Sequence, residues 1–151
     1  MLVLATTSFA ESSTCETTDP SISPVDVPGL SEPGFGRSFF GSEKLAVLIS
    51  ADGHWPVQSA ERDYSDKLWW WRKGYVWTEE PTPELTVVAR RLDGDAPQVR
   101  VDWTTNALLG NDVSLMLNGL GFPTPGCWEV TGNYHGTILS FVTLVGARES
   151  Q

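Results

Sequence analysis

The residues able to do chemistry are few in this chain and widely spaced. Its two cysteines, Cys15 and Cys127, lie more than a hundred residues apart. In an oxidising compartment they invite one disulfide, whose long loop sets a chain-entropy ceiling of about 4.7 kcal/mol. The alternative is a free buried thiol at Cys127 with a flexible or lipidated Cys15. The two histidines, His54 and His135, each sit in a turn-like context with no nucleophile elbow around them, so they define no catalytic site. A metal needs converging ligands, and only Asp52, His54 and His135 form a conceivable group; no metal or other cofactor is implied. Nineteen acidic residues make a paired-carboxylate site uninformative at this level.

Two clusters could bind rather than react. Arg90 and Arg91 follow an apolar run and could grip a carboxylate or phosphate in bidentate fashion; the plainer reading pairs one of them with Glu129 or Asp93. Seven tryptophans are the second excess. In a strand the consecutive Trp69, Trp70 and Trp71 cannot point one way: Trp69 and Trp71 share a face with Lys67 and Lys73, and Trp70 joins Leu68. Either a loop or the tail covers the second face, or Trp69, Trp71, Tyr75 and Trp77 present aromatic surface to a protein or glycan.

The elements that must hold these residues are strands. The segment 44–50 is a strongly apolar strand, and Ala51-Asp52-Gly53 is expected to turn it back into 54–57 as a hairpin. Residues 67–72 favour a strand because three adjacent tryptophans crowd a helix. Residues 85–92 turn at Asp93-Gly94-Asp95, and 98–104 return with Val99, Val101 and Trp103 alternating against Arg100 and Asp102. A weaker strand is expected at 114–120, and 127–134 with 137–145 form a closing hairpin. There Trp128 and Val130 should face the core, with Cys127, Glu129 and Thr131 on the outer face. No stretch has convincing helical periodicity and caps. The expected fold is all-β: an immunoglobulin-like antiparallel β-sandwich of 7–9 short strands with an extended N-terminal tail. No intersheet cysteine pair of the antibody kind is present, since one cysteine alone lies in the body of the domain.

With 151 residues and 40% hydrophobic content, one ordinary domain with a real core is expected, at residues 37–147. A net charge of −9 argues against nucleic acid and anionic membrane partners. Residues 11–36 read as a Pro/Ser/Thr-rich acidic linker or tail, either a spacer or a segment that Cys15 ties back to the body. Residues 1–10 look like the end of an export signal, with Ser8-Phe9-Ala10 fitting signal peptidase, although no positive leader precedes them. A lipid anchor at Cys15 is disfavoured because Ser12-Ser13-Thr14 lacks the usual lipobox leucine. No segment approaches a membrane span.

The run Phe122-Pro123-Thr124-Pro125-Gly126-Cys127-Trp128-Glu129-Val130-Thr131-Gly132 resembles the C-terminal signature of a family of uncharacterised exported bacterial proteins. Leu45 to Leu48, Lys67 to Arg72, Pro83 to Val87, and Ala89 to Gly94 with Ala96-Pro97 resemble its internal blocks, so the likeness spans residues 36–145. It implies export, a shared fold and an early cysteine, which Cys15 matches; it implies no activity. The expectation is a noncatalytic, secreted or cell-envelope binding module. The alternative is an immunoglobulin-like protease inhibitor acting through residues 118–126, and a hydrolytic enzyme comes third.

Overall fold

Short β-forming runs broken by Gly, Pro and Asp leave this chain one way to bury its apolar side chains, which is sheet against sheet. A computed structural model describes residues 14–30, 33, 34, 36–56 and 64–146. Among these residues are nine strands: β1 (Arg37–Gly41), β2 (Ala46–Ser50), β3 (Asp66–Trp71), β4 (Leu85–Arg91), β5 (Val99–Val101), β6 (Thr105–Leu109), β7 (Val113–Leu120), β8 (Gly126–Tyr134) and β9 (Thr137–Val145). They form two sheets, of order β1-β2-β3-β7-β6 (sheet 1) and β5-β4-β8-β9 (sheet 2). With β1 set aside, the two orders match strands A-B-E-D and C′-C-F-G of the immunoglobulin plan. The expected residues 1–10 signal segment lies outside the described residues.

The core sits between the sheets, and its centre replaces a missing crosslink. Antibody domains tie strands B and F with a disulfide; here the fully buried Trp70 of β3 lies against Gly132 of β8, where any Cβ would overlap the indole. The indole N–H donates to Asn118 Oδ1 at 3.3 Å, Asn118 Nδ2 donates to Thr104 Oγ1 at 3.2 Å, and Thr104 Oγ1 donates to the Leu85 carbonyl at 2.6 Å. This relay links sheet 1 to sheet 2, and breaking one member would leave a buried polar group unpaired at a cost of about 1–3 kcal/mol.

The closing hairpin pairs in full register from Gly126↔Val145 to Tyr134↔Thr137. Its turn, His135-Gly136, has φ of +48° and +86°, the geometry that suits a two-residue hairpin. Trp128 and Val130 are fully buried, and Glu129 and Thr131 face outward, as strand alternation requires.

Several expectations fail for identifiable reasons. The chain does not fold back at residues 51–53: β2 pairs with β1 and β3, while His54 bridges in parallel to Leu144 of the other sheet. Trp55 draws the segment inward, stacking edge-on against Phe122 at 4.9 Å, with its N–H donating to the Tyr64 carbonyl at 2.8 Å. Val57 lies outside the described residues. The strand expected over 98–104 stops at Val101, because residues 102–104 cross to sheet 1; Trp103 is left 66% exposed. The weak candidate at 114–120 is the eight-residue β7, flanked by β3 and β6. Strands β1 and β6 were not anticipated.

Residues 14–30 form a strap. Cys15 and Cys127 are disulfide-bonded, with a Cα separation of 5.5 Å. Thr18 and Val142 exchange hydrogen bonds of 3.0 and 2.8 Å along the β9 edge. The strap then crosses to sheet 1, where Gly41 N donates to Ser23 O (3.0 Å) and Val25 N to Phe39 O (3.1 Å). A Pro28-Gly29 turn follows, with Gly29 at φ +87°, as a type II turn demands. Beyond β1, Val27 packs on the outer face of sheet 1 against Trp71, Val113 and Leu115. No helix among the described residues is long and apolar enough to cross a membrane.

Candidate functional site

The connection from β3 to β4 builds the strongest candidate. Gly74, at φ +79°, lets the chain leave β3, and one helical turn forms where Glu79 and Glu80 N–H groups donate to the Val76 carbonyl. Pro81 and Pro83 then deny it further hydrogen bonds. Trp77 rides on this turn with its backbone held from both sides: its N–H donates to Ser114 Oγ at 3.1 Å, and its carbonyl accepts from Asn106 Nδ2 at 2.6 Å. The indole is thus presented on a fixed platform.

Beside Trp77 runs a groove floored by Trp71 and Tyr75, walled by Leu108 and Pro28, and ended by Asn111 and Asp112 of the β6–β7 turn. Val76, Trp77 and Leu108 are each 37–39% exposed, so three of the seven exposed large hydrophobic residues among the described ones meet here. The Asn111 and Asp112 side chains and the Trp77 indole N–H make no hydrogen bond among the described residues. The groove therefore offers an aromatic surface, aliphatic edges and free donors and acceptors.

A polar knot fixes the platform from behind. Glu80 accepts from Tyr134 Oη at 2.6 and 2.8 Å and from Arg72 at 3.3 Å, and His135 lies at 3.5 Å. Arg72 Nε donates to Tyr134 Oη at 3.0 Å, and Tyr75 Oη donates to the Glu80 carbonyl at 2.8 Å. Burial pushes the Glu80 carboxyl upward, but hydrogen bonds from Tyr134, His135 and Arg72 outweigh it and hold the group below the ordinary carboxylate range. Tyr75 is pushed up to about 12, chiefly by burial and then by the Glu80 charge. Tyr134 is raised by burial and by its bond to Glu80. The knot joins Arg72, the residue after β3, to Tyr134 of β8 in the other sheet and stabilises Glu80 in its charged form.

The residues singled out from sequence are distributed differently from the expected groupings. Trp71 and Tyr75 are 7% and 5% exposed, Trp69 is half-buried and Trp77 is exposed, so the four do not make one open aromatic face. The strap covers the Trp69 and Trp71 side, while Tyr75 turns into the intersheet core. Arg90 pairs with Glu129 at 2.9 Å and Arg91 with Asp93 at 2.9 Å, so neither guanidinium stands unpaired for an outside anion. Asp93 also accepts from Cys127 N at 3.0 Å, beside the disulfide; burial raises its carboxyl, but these bonds hold it below the usual range. Asp52, His54 and His135 do not converge: His54 bridges Leu144, roughly 30 Å along β9 from the turn that carries His135. Residues 118–126 are no projecting loop, since Asn118 and Leu120 belong to β7 and Phe122 is 1% exposed beneath Trp55 and Trp128.

Sequence reasoning found Trp77 but missed Pro28, Leu108, Asn111, Asp112 and the Glu80 knot. The Gly110-Asn111-Asp112 run carried a faint turn signal; nothing marked Glu80.

Fold and site together define an antiparallel β-sandwich of immunoglobulin-like strand order with an aromatic groove at one end of sheet 1. No protein-family model matches the chain, and none of the curated proteins matches it. Among solved structures it is similar to a "Putative Lipoprotein from Bacillus anthracis", with 18% identity, a TM-score of 0.43, and coverage of 74% of this chain and 80% of that one.

Proposed function

We propose that the protein is a noncatalytic exported binding module of the bacterial cell envelope that docks a glycan in the groove beside Trp77. The observation that carries this reading is the Trp77 indole, held on a clamped backbone next to the unpaired side chains of Asn111 and Asp112. A pyranose has an apolar face of C–H groups and a rim of hydroxyls, and this groove offers a partner to each. A protein partner fits less well: standard interfaces bury about 800 Å² per side, and the exposed apolar groups here are three side chains. Export is supported by the Cys15–Cys127 disulfide, which belongs to oxidising compartments, and by Ser8-Phe9-Ala10. The inhibitor reading has no such support, because Phe122 is committed to the core.

Tryptophan fluorescence titrated with cellohexaose and chitohexaose tests the proposal. Saturable quenching is expected with at least one sugar, and Trp77→Ala should weaken it about tenfold or more, equivalent to ~1.4 kcal/mol. No saturable change with either sugar, or unchanged affinity in Trp77→Ala, refutes it.

A further inference from the structure

The strap and the groove share residues. Pro28 forms one wall of the groove. Gly29 sits so close to the β6–β7 turn that a Cβ would lie 2.9 Å from Val113 Cγ2 and 3.9 Å from Asp112 Oδ1. Val27 is 2% exposed in the cluster that contains Trp71, the groove floor, and Val113. The strap therefore shapes a wall, touches the floor and buttresses the turn that supplies the polar end.

Apart from the disulfide, the strap is held by a few hydrogen bonds and by the packing of Val25, Val27 and Leu30 on sheet 1. Between Cys15 and Val27 it makes the Thr18–Val142 exchange, the Ser23 bonds to Gly41 and the Val25–Phe39 bond. Ordering residues 15–30 costs backbone entropy at every position. A handful of hydrogen bonds, each weak in net terms, and the burial of a few apolar side chains centred on Val27 have to offset it. A covalent link at Cys15 removes most of that freedom before the contacts form, in the way a tether raises effective concentration.

We infer that the strap is part of the ligand groove, and that the Cys15–Cys127 bond sets glycan affinity from a distance by keeping the Val27–Leu30 turn docked. This rests on the groove being the glycan site. Cys127 is 4% exposed, whereas Cys15 is half-buried and borders an opening with Thr14 and Leu92, so the Cys15 side is the approach open to a reductant. A dithiol reductant attacks Cys15 Sγ as a thiolate; the S–S bond breaks, and Cys127 leaves as a thiolate that takes a proton from water. The second thiol of the reductant then attacks the mixed disulfide, releasing Cys15. Two electrons pass to the protein, and the reductant ends as its cyclic disulfide.

The test compares oxidised protein, protein reduced with dithiothreitol, Cys15→Ser/Cys127→Ser, and Val27→Asp, which undocks the strap with the disulfide intact. Cellohexaose and chitohexaose are the binding probes. Amide hydrogen exchange is followed in the strap, at residues 71–77 and at 112–114, with the amides that β8 and β9 share with each other as the reference for global folding and Val142, bonded to Thr18, left out. The reduced protein and both variants should lose protection in the strap and groove while β8 and β9 stay protected. Affinity should fall about tenfold if the docked fraction falls to about a tenth. Loss of strap protection with groove exchange and affinity unchanged overturns the inference, as does full strap protection after reduction. If the oxidised protein binds neither sugar, the glycan reading falls, and the groove amides alone decide whether the strap shapes the groove. Should reduction and the double variant unfold β8 and β9, Val27→Asp decides.

Discussion

On sheet 1 the face turned away from the core carries Phe39, Trp71 and Leu115 in one apolar cluster under the strap; on sheet 2 that face carries Arg90, Glu129, Thr131 and Ser140, open to solvent. The backbone geometry is the same in both. What differs is the run of residues: β3 reads Asp-Lys-Leu-Trp-Trp-Trp, apolar on both faces at its end, whereas β8 alternates. A strand without alternation asks for cover on both sides. Here a tail of ordinary extended chain supplies it, and one disulfide secures the tail.

The comparison is most directly broken at Trp71. It is 7% exposed and packs with Val27 and Val113, so Trp71→Ala should remove about 3–5 kcal/mol of stability in denaturant unfolding, as expected for a large aromatic in a packed interior. A loss below about 1 kcal/mol would mean that the strap shields the face without packing on it, and the contrast between the sheets would be one of coverage alone.

Where the sheets meet, the Glu80 knot gives an intermediate effect with a defined pH signature. The folded protein holds the Glu80 carboxyl below its ordinary value, so its contribution is present above about pH 4.3, the unfolded value, and is lost as pH falls through the depressed folded value. Glu80→Gln should cost about 1 kcal/mol at neutral pH through weakened hydrogen bonds. It should also flatten the fall in stability below pH 5. Urea unfolding of both proteins from pH 3 to 7 checks this; parallel curves would show that Glu80 is not held in its charged form.

The readable parts of this molecule were those whose pattern is local. Period-two alternation marked β5, a continuous apolar run marked β2, and short β-forming runs joined by turn residues, with no helical periodicity, pointed to a sandwich. Cys127 was legible as an outward residue because its neighbours Trp128 and Val130 had to point in. Strand β1, Arg-Ser-Phe-Phe-Gly, hid because adjacent phenylalanines erase alternation when one side meets the core and the other the strap. Trp103 misled for the opposite reason: it extended an alternation that the chain abandons to change sheets. The knot was invisible because Arg72, Glu80, Tyr134 and His135 come together through both sheets, and no spacing along the chain encodes that.

The smallest expected effect sharpens the comparison from the solvent side. Arg90 and Glu129 are directly opposed across β4 and β8 and pair at 2.9 Å, yet the Arg90 side chain is 62% exposed. Water and salt screen such a pair, and holding two long side chains costs rotamer entropy. A double-mutant cycle with Arg90→Ala and Glu129→Ala should therefore give a coupling of about 0.2–1 kcal/mol that shrinks as salt rises. A coupling well above that range, or one insensitive to salt, would show that the open face of sheet 2 is covered in solution and that the two faces are not as different as their sequences make them.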